Sequence, residues 1–167
     1  KFPAESIFLS PEMKSTGEVM GISENFGLSF YKATLSTGIK LPESGLAFIS
    51  VIDDDKYKII SIARGFKELG FSIIATDGTA KELIKNGMAV ETVYKVGEGR
   101  PNIVDRIKND EINLVINTPL GAQSRYDEES IGRACIQKSI MAITTLSAAD
   151  AVLYAIRTKN KIKVKSI

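Results

Sequence analysis

Eight residues suited to holding a phosphate stand just beyond successive apolar runs of this chain: Ser50, Lys56, Thr76, Gly78, Thr79, Lys95, Asn117 and Thr118. Thr76-Asp77-Gly78-Thr79 is a hydroxyl-bearing turn leading into a helical pattern. Free backbone N–H groups and the helix dipole at such a start favour an anion. Gly78 lets a phosphate approach the backbone closely. Lys56 and Lys95 add charge-assisted bonds of roughly 1.5–3 kcal/mol each. A micromolar ligand needs about 8 kcal/mol, within reach of two such bonds, several N–H or hydroxyl donors and a stacked base. Each piece alone has a plainer reading: a helix cap, two solvated lysines, a turn-forming Asn117. Their recurrence at strand ends is what points to a site, although Asp77 would repel a phosphate unless it points away.

Other chemistry is thinly represented. The chain has no histidine, so Ser-His-Asp and Cys-His arrangements and imidazole-bound zinc are excluded. Gly97-Glu98-Gly99 suggests a dinucleotide loop, but Pro101 intervenes and Asn102 stands at the third glycine position, so this is no Rossmann fingerprint. Asp53-Asp54-Asp55 reads as a solvated cap before a helix. Cys135 shares an apolar face with Ile131 and Ala134 and reads as a small buried residue. Arg125, Tyr126, Asp127 and Arg133 are compatible with a rim network or an interface.

The elements that must position these residues alternate between apolar runs and helical patterns, as in a parallel α/β sheet. Gly45 to Ile52 reads as a strand buried on both faces. Ile59, Ile62, Ala63, Phe66 and Leu69 form one helical face, stopped by Gly70. Phe71 to Ala75 is the second strand, and Thr79 to Asn86 a short helix. Val90 to Tyr94 is the third strand, followed by a helix through Lys108 with Pro101 near its first turn. Ile112 to Ile116 and Ile140 to Thr144 are the fourth and fifth strands. Ser147 is expected to cap a final helix, with Asp150 three residues on. Before this core, Ser23 to Thr34 reads as a lead-in helix with Phe26, Phe30 and Ala33 on one side. The tail from Lys159 suits an edge strand or a frayed end.

The chain has 167 residues, enough for one domain with a sizeable core. Its net charge of +2 gives no reason to expect nucleic acid or membrane as a partner. One cysteine precludes an internal disulfide and suits a reducing cytosol. No apolar run approaches the roughly 20 residues needed to span a bilayer, and no signal-peptide pattern opens the chain. A cytoplasmic location is the expectation.

The segment Pro11 to Ile22, PEMKSTGEVMGI, lacks a clean period and carries two carboxylates, a lysine and two glycines. It reads as a surface segment held against something else. It occurs with GLAFISV, Ala75-Thr76-Asp77-Gly78-Thr79-Ala80, Lys95-Val96-Gly97-Glu98-Gly99-Arg100-Pro101-Asn102-Ile103, Ile116-Asn117-Thr118-Pro119-Leu120-Gly121 and Thr144-Thr145-Leu146-Ser147-Ala148-Ala149. In that order and spacing, they resemble the C-terminal allosteric, methylglyoxal-synthase-like domain of carbamoyl-phosphate synthetase large subunits.

The resemblance implies a three-layer α/β fold with a mainly parallel five-stranded sheet and helices on both faces. It implies a connector over 1–22 from a preceding ATP-grasp region, and the allosteric domain over 23–167. It also implies a pocket for UMP or IMP in an enzyme of pyrimidine and arginine biosynthesis, formed by the residues already reached from chemistry. The expected partners are the catalytic segments of the large subunit, the glutaminase small subunit and further copies of the chain, with ornithine as another candidate ligand. ATP and Mg or Mn belong to the parent enzyme; no cofactor, metal or catalytic residue is expected in this domain.

Pro119 stands beside Thr118 where some members carry a second contacting threonine, and it cannot donate. Ala122 and Gln123 replace basic residues, and Gly132 stands beside Arg133 where a paired arginine is common. These departures bear on effector affinity and identity. Methylglyoxal synthases share the fold but use histidines and an acidic loop residue, where this chain has Arg100, so that lyase activity is not expected. A docking module with no ligand is the remaining alternative.

Overall fold

The computed structural model describes residues 19–118 and 125–161, apart from the side chains of 125 and 161. In chain order the elements are α1 (Phe26–Ser36), β1 (Gly45–Ser50), a 3-10 turn (Asp53–Asp55), α2 (Lys56–Glu68), β2 (Phe71–Thr76), α3 (Asp77–Lys85) and β3 (Glu91–Val93). There follow α4 (Ile103–Lys108), β4 (Leu114–Asn117), α5 (Arg125–Lys138), β5 (Met141–Ile143), α6 (Leu146–Thr158) and a 3-10 turn (Lys159–Lys161). The expected connector lies outside the described residues except for residues 19–22, as do residues 162–167 of the expected tail strand.

All five strands are parallel, in the order β3-β2-β1-β4-β5. Strand alternation sends their side chains to two separate cores. Ala47, Ile49, Ile73, Ala75, Leu114 and Ile116 meet α2, α3 and α6, with α1 packed outside α6. Phe48, Ile74, Val93 and Val115 meet α4 and α5. The result is the expected three-layer α/β arrangement, with apolar runs along the central strands because both faces are covered.

Helix α2 buries the expected stripe of Ile59, Ile62, Ala63 and Phe66. Gly70 follows with φ +91°, a left-handed turn that suits glycine. Cys135 is 1% exposed, and burial pushes its thiol up to about 12; this is a packing residue.

Several boundaries differ from expectation for local reasons. Pro101 lies outside α4, because Asn102 forms the N-cap: its Oδ1 accepts from Val104 N at 3.0 Å and Asp105 N at 3.1 Å. The Asp105 carboxylate returns the favour by accepting from Asn102 N at 2.9 Å, completing a capping box. Asn102→Ala is expected to cost about 0.5–2 kcal/mol of folding free energy, read as a lowered urea midpoint at unchanged slope. Thr145 rather than Ser147 caps α6, its Oγ1 accepting from Ala148 N at 3.2 Å. Ser147 thereby becomes the second helical residue.

The lead-in helix starts at Phe26 with Asn25 as its cap, and Phe26 is 63% exposed while Gly27 and Leu28 turn inward. The stripe that α1 buries is Gly27, Leu28 and Thr34 rather than the side carrying Phe26. The third strand is three residues long, and β4 begins at Leu114, although Ile112 just before it is buried. α3 begins at Asp77, which places Gly78 and Thr79 in its first turn.

Candidate functional site

The chain leaves β1 to form β2 on one side and returns to place β4 on the other. In open parallel sheets such a reversal opens a ligand crevice at the strand C-termini. Two-residue alternation aims four of the candidate residues into it. Ser50 follows Phe48, Thr76 follows Ile74, Lys95 follows Val93 and Asn117 follows Val115, each two positions beyond a residue of the α4/α5 core. Ser50 pairs with Asn117 in the sheet register, and the hydroxyls of Thr76 and Ser50 are hydrogen-bonded at 3.1 Å. These four line a cavity of about 360 Å³ whose apolar floor is Phe48, Ile103 and Ile131.

The other four candidates stand beside this cavity rather than on its wall. Thr79 is 1% exposed and its Oγ1 accepts from Val51 N at 3.2 Å; Thr118 is 4% exposed and its Oγ1 accepts from Ile52 N at 3.0 Å. Both threonines therefore pin the loop that carries the chain from β1 into α2. Each hydroxyl keeps its own proton to donate. Lys56 Nζ pairs with Asp53 Oδ1 at 2.7 Å. The same ammonium stands so close to Gly78 that a Cβ there would lie 3.1 Å from it. Lys56 thus overhangs the first turn of α3, and a side chain at 78 would displace it.

The start of α3 is open to an anion. Thr76 is its N-cap, yet no side chain caps it, so first-turn N–H groups remain as donors. Asp77 does not obstruct them: its Oδ2 pairs with Lys81 Nζ at 2.7 Å, on the solvent side of the helix.

Three carboxylates stand on the cavity wall, those of Glu98, Asp127 and Glu128; none was among the phosphate-holding candidates, and only Asp127 was read from sequence as part of a rim network or an interface. Glu98 Oε2 accepts the backbone N–H of Lys95 at 3.1 Å. Burial holds the Asp127 carboxyl above the usual carboxylate range; Lys95 opposes this, while Glu98 and Glu128 add to it. Across the mouth, the hydrogen bond and charge of Lys56 hold Asp53 below that range, with a contribution from Lys95. A usable signal existed: a helix following a parallel strand starts at the same rim as the strand ends.

Of the expected rim network, Asp127 reaches the cavity, Tyr126 is exposed and Arg133 pairs with Glu129 at 2.6 Å. The Arg125 side chain and residues 119–124, including Pro119, Ala122 and Gln123, lie outside the described residues. No helix among the described residues is long and apolar enough to cross a membrane.

The fold is thus an all-parallel α/β domain with hydroxyls, an amide and a lysine gathered at its switch point, the place where open parallel sheets form ligand crevices. More specifically, residues 58–144 match the MGS-like domain model, and the chain belongs to that family. It is 53% identical over 98% of its length to the carbamoyl phosphate synthase large chain, C-terminal section, of Aquifex aeolicus. Identity is 52% over 96% of the chain to the carbamoyl phosphate synthase large chain of Acidobacterium capsulatum, and 49% over 100% to that of Archaeoglobus fulgidus. The chain spans 30% of the length of the first relative and 15% and 16% of the other two. Among solved structures, ForH aligns with a TM-score of 0.54 at 19% identity, over 71% of this chain and 83% of that one. That likeness concerns the fold alone.

Proposed function

We propose that this domain is the allosteric nucleotide sensor of a glutamine-dependent carbamoyl-phosphate synthase large chain, taking a nucleoside monophosphate such as UMP or IMP. The observation that carries the reading is the crevice between β1 and β4. A cationic rim with open helix N–H groups adjoins a cavity with a polar wall and an apolar floor. The phosphate would sit on the first turn of α3, under Lys56 and close to Gly78, with Thr76, Thr79 and Lys95 as donors. The sugar hydroxyls would donate to the wall carboxylates and meet Asn117, and the base would lie on Phe48, Ile103 and Ile131.

Regulation requires that the nucleotide bind one arrangement of the parent enzyme more tightly than another, and the coupling is reciprocal with substrate binding. About 1–3 kcal/mol suffices. The catalytic segments of the large chain, with their ATP and Mg or Mn, and the glutaminase small subunit are the partners this reading assigns; self-association and an ornithine response belong to it as well. With a cytoplasmic enzyme as parent, the segment before α1 would join sensor to catalyst. A lyase of the methylglyoxal synthase type is disfavoured by the lack of any histidine.

Calorimetric titration of the chain with UMP, IMP and inorganic phosphate tests the proposal. Saturable UMP binding is expected, weakened several-fold in Thr76→Val, which removes one hydroxyl donor worth about 1 kcal/mol. No saturable heat with any of the three ligands would sink it in favour of a docking role.

A further inference from the structure

We infer that Glu98 is a positioning residue of this site: its carboxylate clasps the Lys95 backbone, holding the loop in the shape that presents Lys95 to the cavity, and it acts through that lysine rather than on the ligand. This rests on the nucleotide reading above and deepens it. Both residues line the cavity, and a direct hydrogen bond joins them.

The loop between β3 and α4 is closed at its base. Tyr94 and Asn102 form an isolated parallel bridge, and Ile103 N donates to Tyr94 O at 3.1 Å. The segment from Lys95 to Asn102 thus leaves and returns at one point. Lys95 stands at the departing end, and Ile103, part of the cavity floor, lies just past the returning one. Inside that base, Glu98 N donates to Lys95 O at 3.2 Å, and Lys95 N donates to Glu98 Oε2 at 3.1 Å. The second bond ends on a carboxylate and is charge-assisted. Between the two residues Gly97 takes φ +86°, the left-handed turn that brings Glu98 back to Lys95.

Two effects of Glu98 on a phosphate ligand oppose each other. As a negative charge on the cavity wall it repels the phosphate. As a clasp it keeps Lys95 in place. A loop without the clasp samples other shapes, and affinity falls with the fraction of time that the competent shape is populated. Glu98 is exposed, so water and salt screen its repulsion. Loss of the competent loop is not screened, because it withdraws a direct contact. The clasp therefore outweighs the repulsion, and truncating Glu98 weakens binding although a negative charge has left the site.

UMP titration, together with amide hydrogen exchange at Lys95 in the ligand-free chain, tests this on Glu98→Ala and Glu98→Gln. In Glu98→Ala, which has no acceptor, the Lys95 N–H is expected to exchange faster. UMP affinity is expected to fall about 3- to 10-fold, as when the competent loop is populated about a third to a tenth of the time. Glu98→Gln keeps an acceptor oxygen without the charge, and both readouts are expected to stay within about twofold of wild type. Unchanged or tighter UMP binding by Glu98→Ala overturns the inference, because repulsion then dominates. Weaker binding by either variant with Lys95 exchange unaltered also overturns it, since that pattern marks direct contact with the ligand. Both results leave wild-type binding, and the nucleotide reading, intact. Absence of UMP binding by the wild-type chain overturns the nucleotide reading and this role with it.

Discussion

Lys95→Ala is expected to weaken UMP binding by about 10- to 150-fold, the equivalent of one charge-assisted contact of roughly 1.5–3 kcal/mol. Lys95 lines the cavity, follows β3 on the face that carries Ser50, Thr76 and Asn117, and shares the cavity wall with carboxylates. Asp53, held below the usual carboxylate range chiefly by Lys56, also feels the charge of Lys95. Removing Lys95 takes away a charge that opposes Asp127, and the wall carboxylates then repel the incoming phosphate more strongly. Lys81→Ala is the control: that lysine pairs with Asp77 on the exposed side of α3, and UMP affinity is expected to stay within twofold. In the parent enzyme the same Lys95→Ala change should abolish the UMP response. An unchanged Kd, or an undiminished response, would remove Lys95 from the site and with it the cationic end of the proposed pocket.

Phe66→Ala is expected to cost about 3–5 kcal/mol of folding free energy. Phe66 is fully buried and packs edge-on to Phe71 at the start of β2, with ring centroids 5.4 Å apart at 87°. Truncation forfeits burial, that edge contact and the packing of the sheet-facing stripe of α2, and the cavity left closes only in part. Against a typical total of 5–15 kcal/mol, this is a large fraction. Thermal unfolding should move down by roughly 6–20 °C for a domain of this size. Because Phe66 belongs to the α2/α3/α6 core while the cavity floor belongs to the other, UMP affinity measured well below the transition should be unaltered. A midpoint shift under about 1 kcal/mol would mean that the α2 face repacks freely.

Much of the architecture is legible without coordinates because its signals are local. The apolar stripe of α2, the turn at Gly70 and the apolar runs of β1 and β2 follow from periodicity. So does the alternation that makes the sheet parallel, since a crossover helix must separate such strands. Helix starts were less legible, because caps compete over one or two residues. Thr145 wins over Ser147, and Asn102 with Asp105 overrides the signal from Pro101. Phe26 reads as core from its type, yet α1 packs only a narrow stripe on α6 and leaves that ring outside.

The candidate site divides in the same way. Ser50, Thr76, Lys95 and Asn117 could be found because each stands at the end of an apolar run, and a strand presents every second residue to one face. The sequence by itself thus determined the strands, the helices between them and the polar residue at each strand end. Which of those ends adjoin was decided by the order β3-β2-β1-β4-β5, which rests on packing over the whole chain. The same packing drew Thr79 and Thr118 into bonds with the β1 loop and turned Asp77 outward. It also brought Glu98, Asp127 and Glu128 from two distant segments onto one wall. Periodicity can place a residue on a face, but contacts between segments far apart in sequence exist only once two covered sheet faces have closed around it.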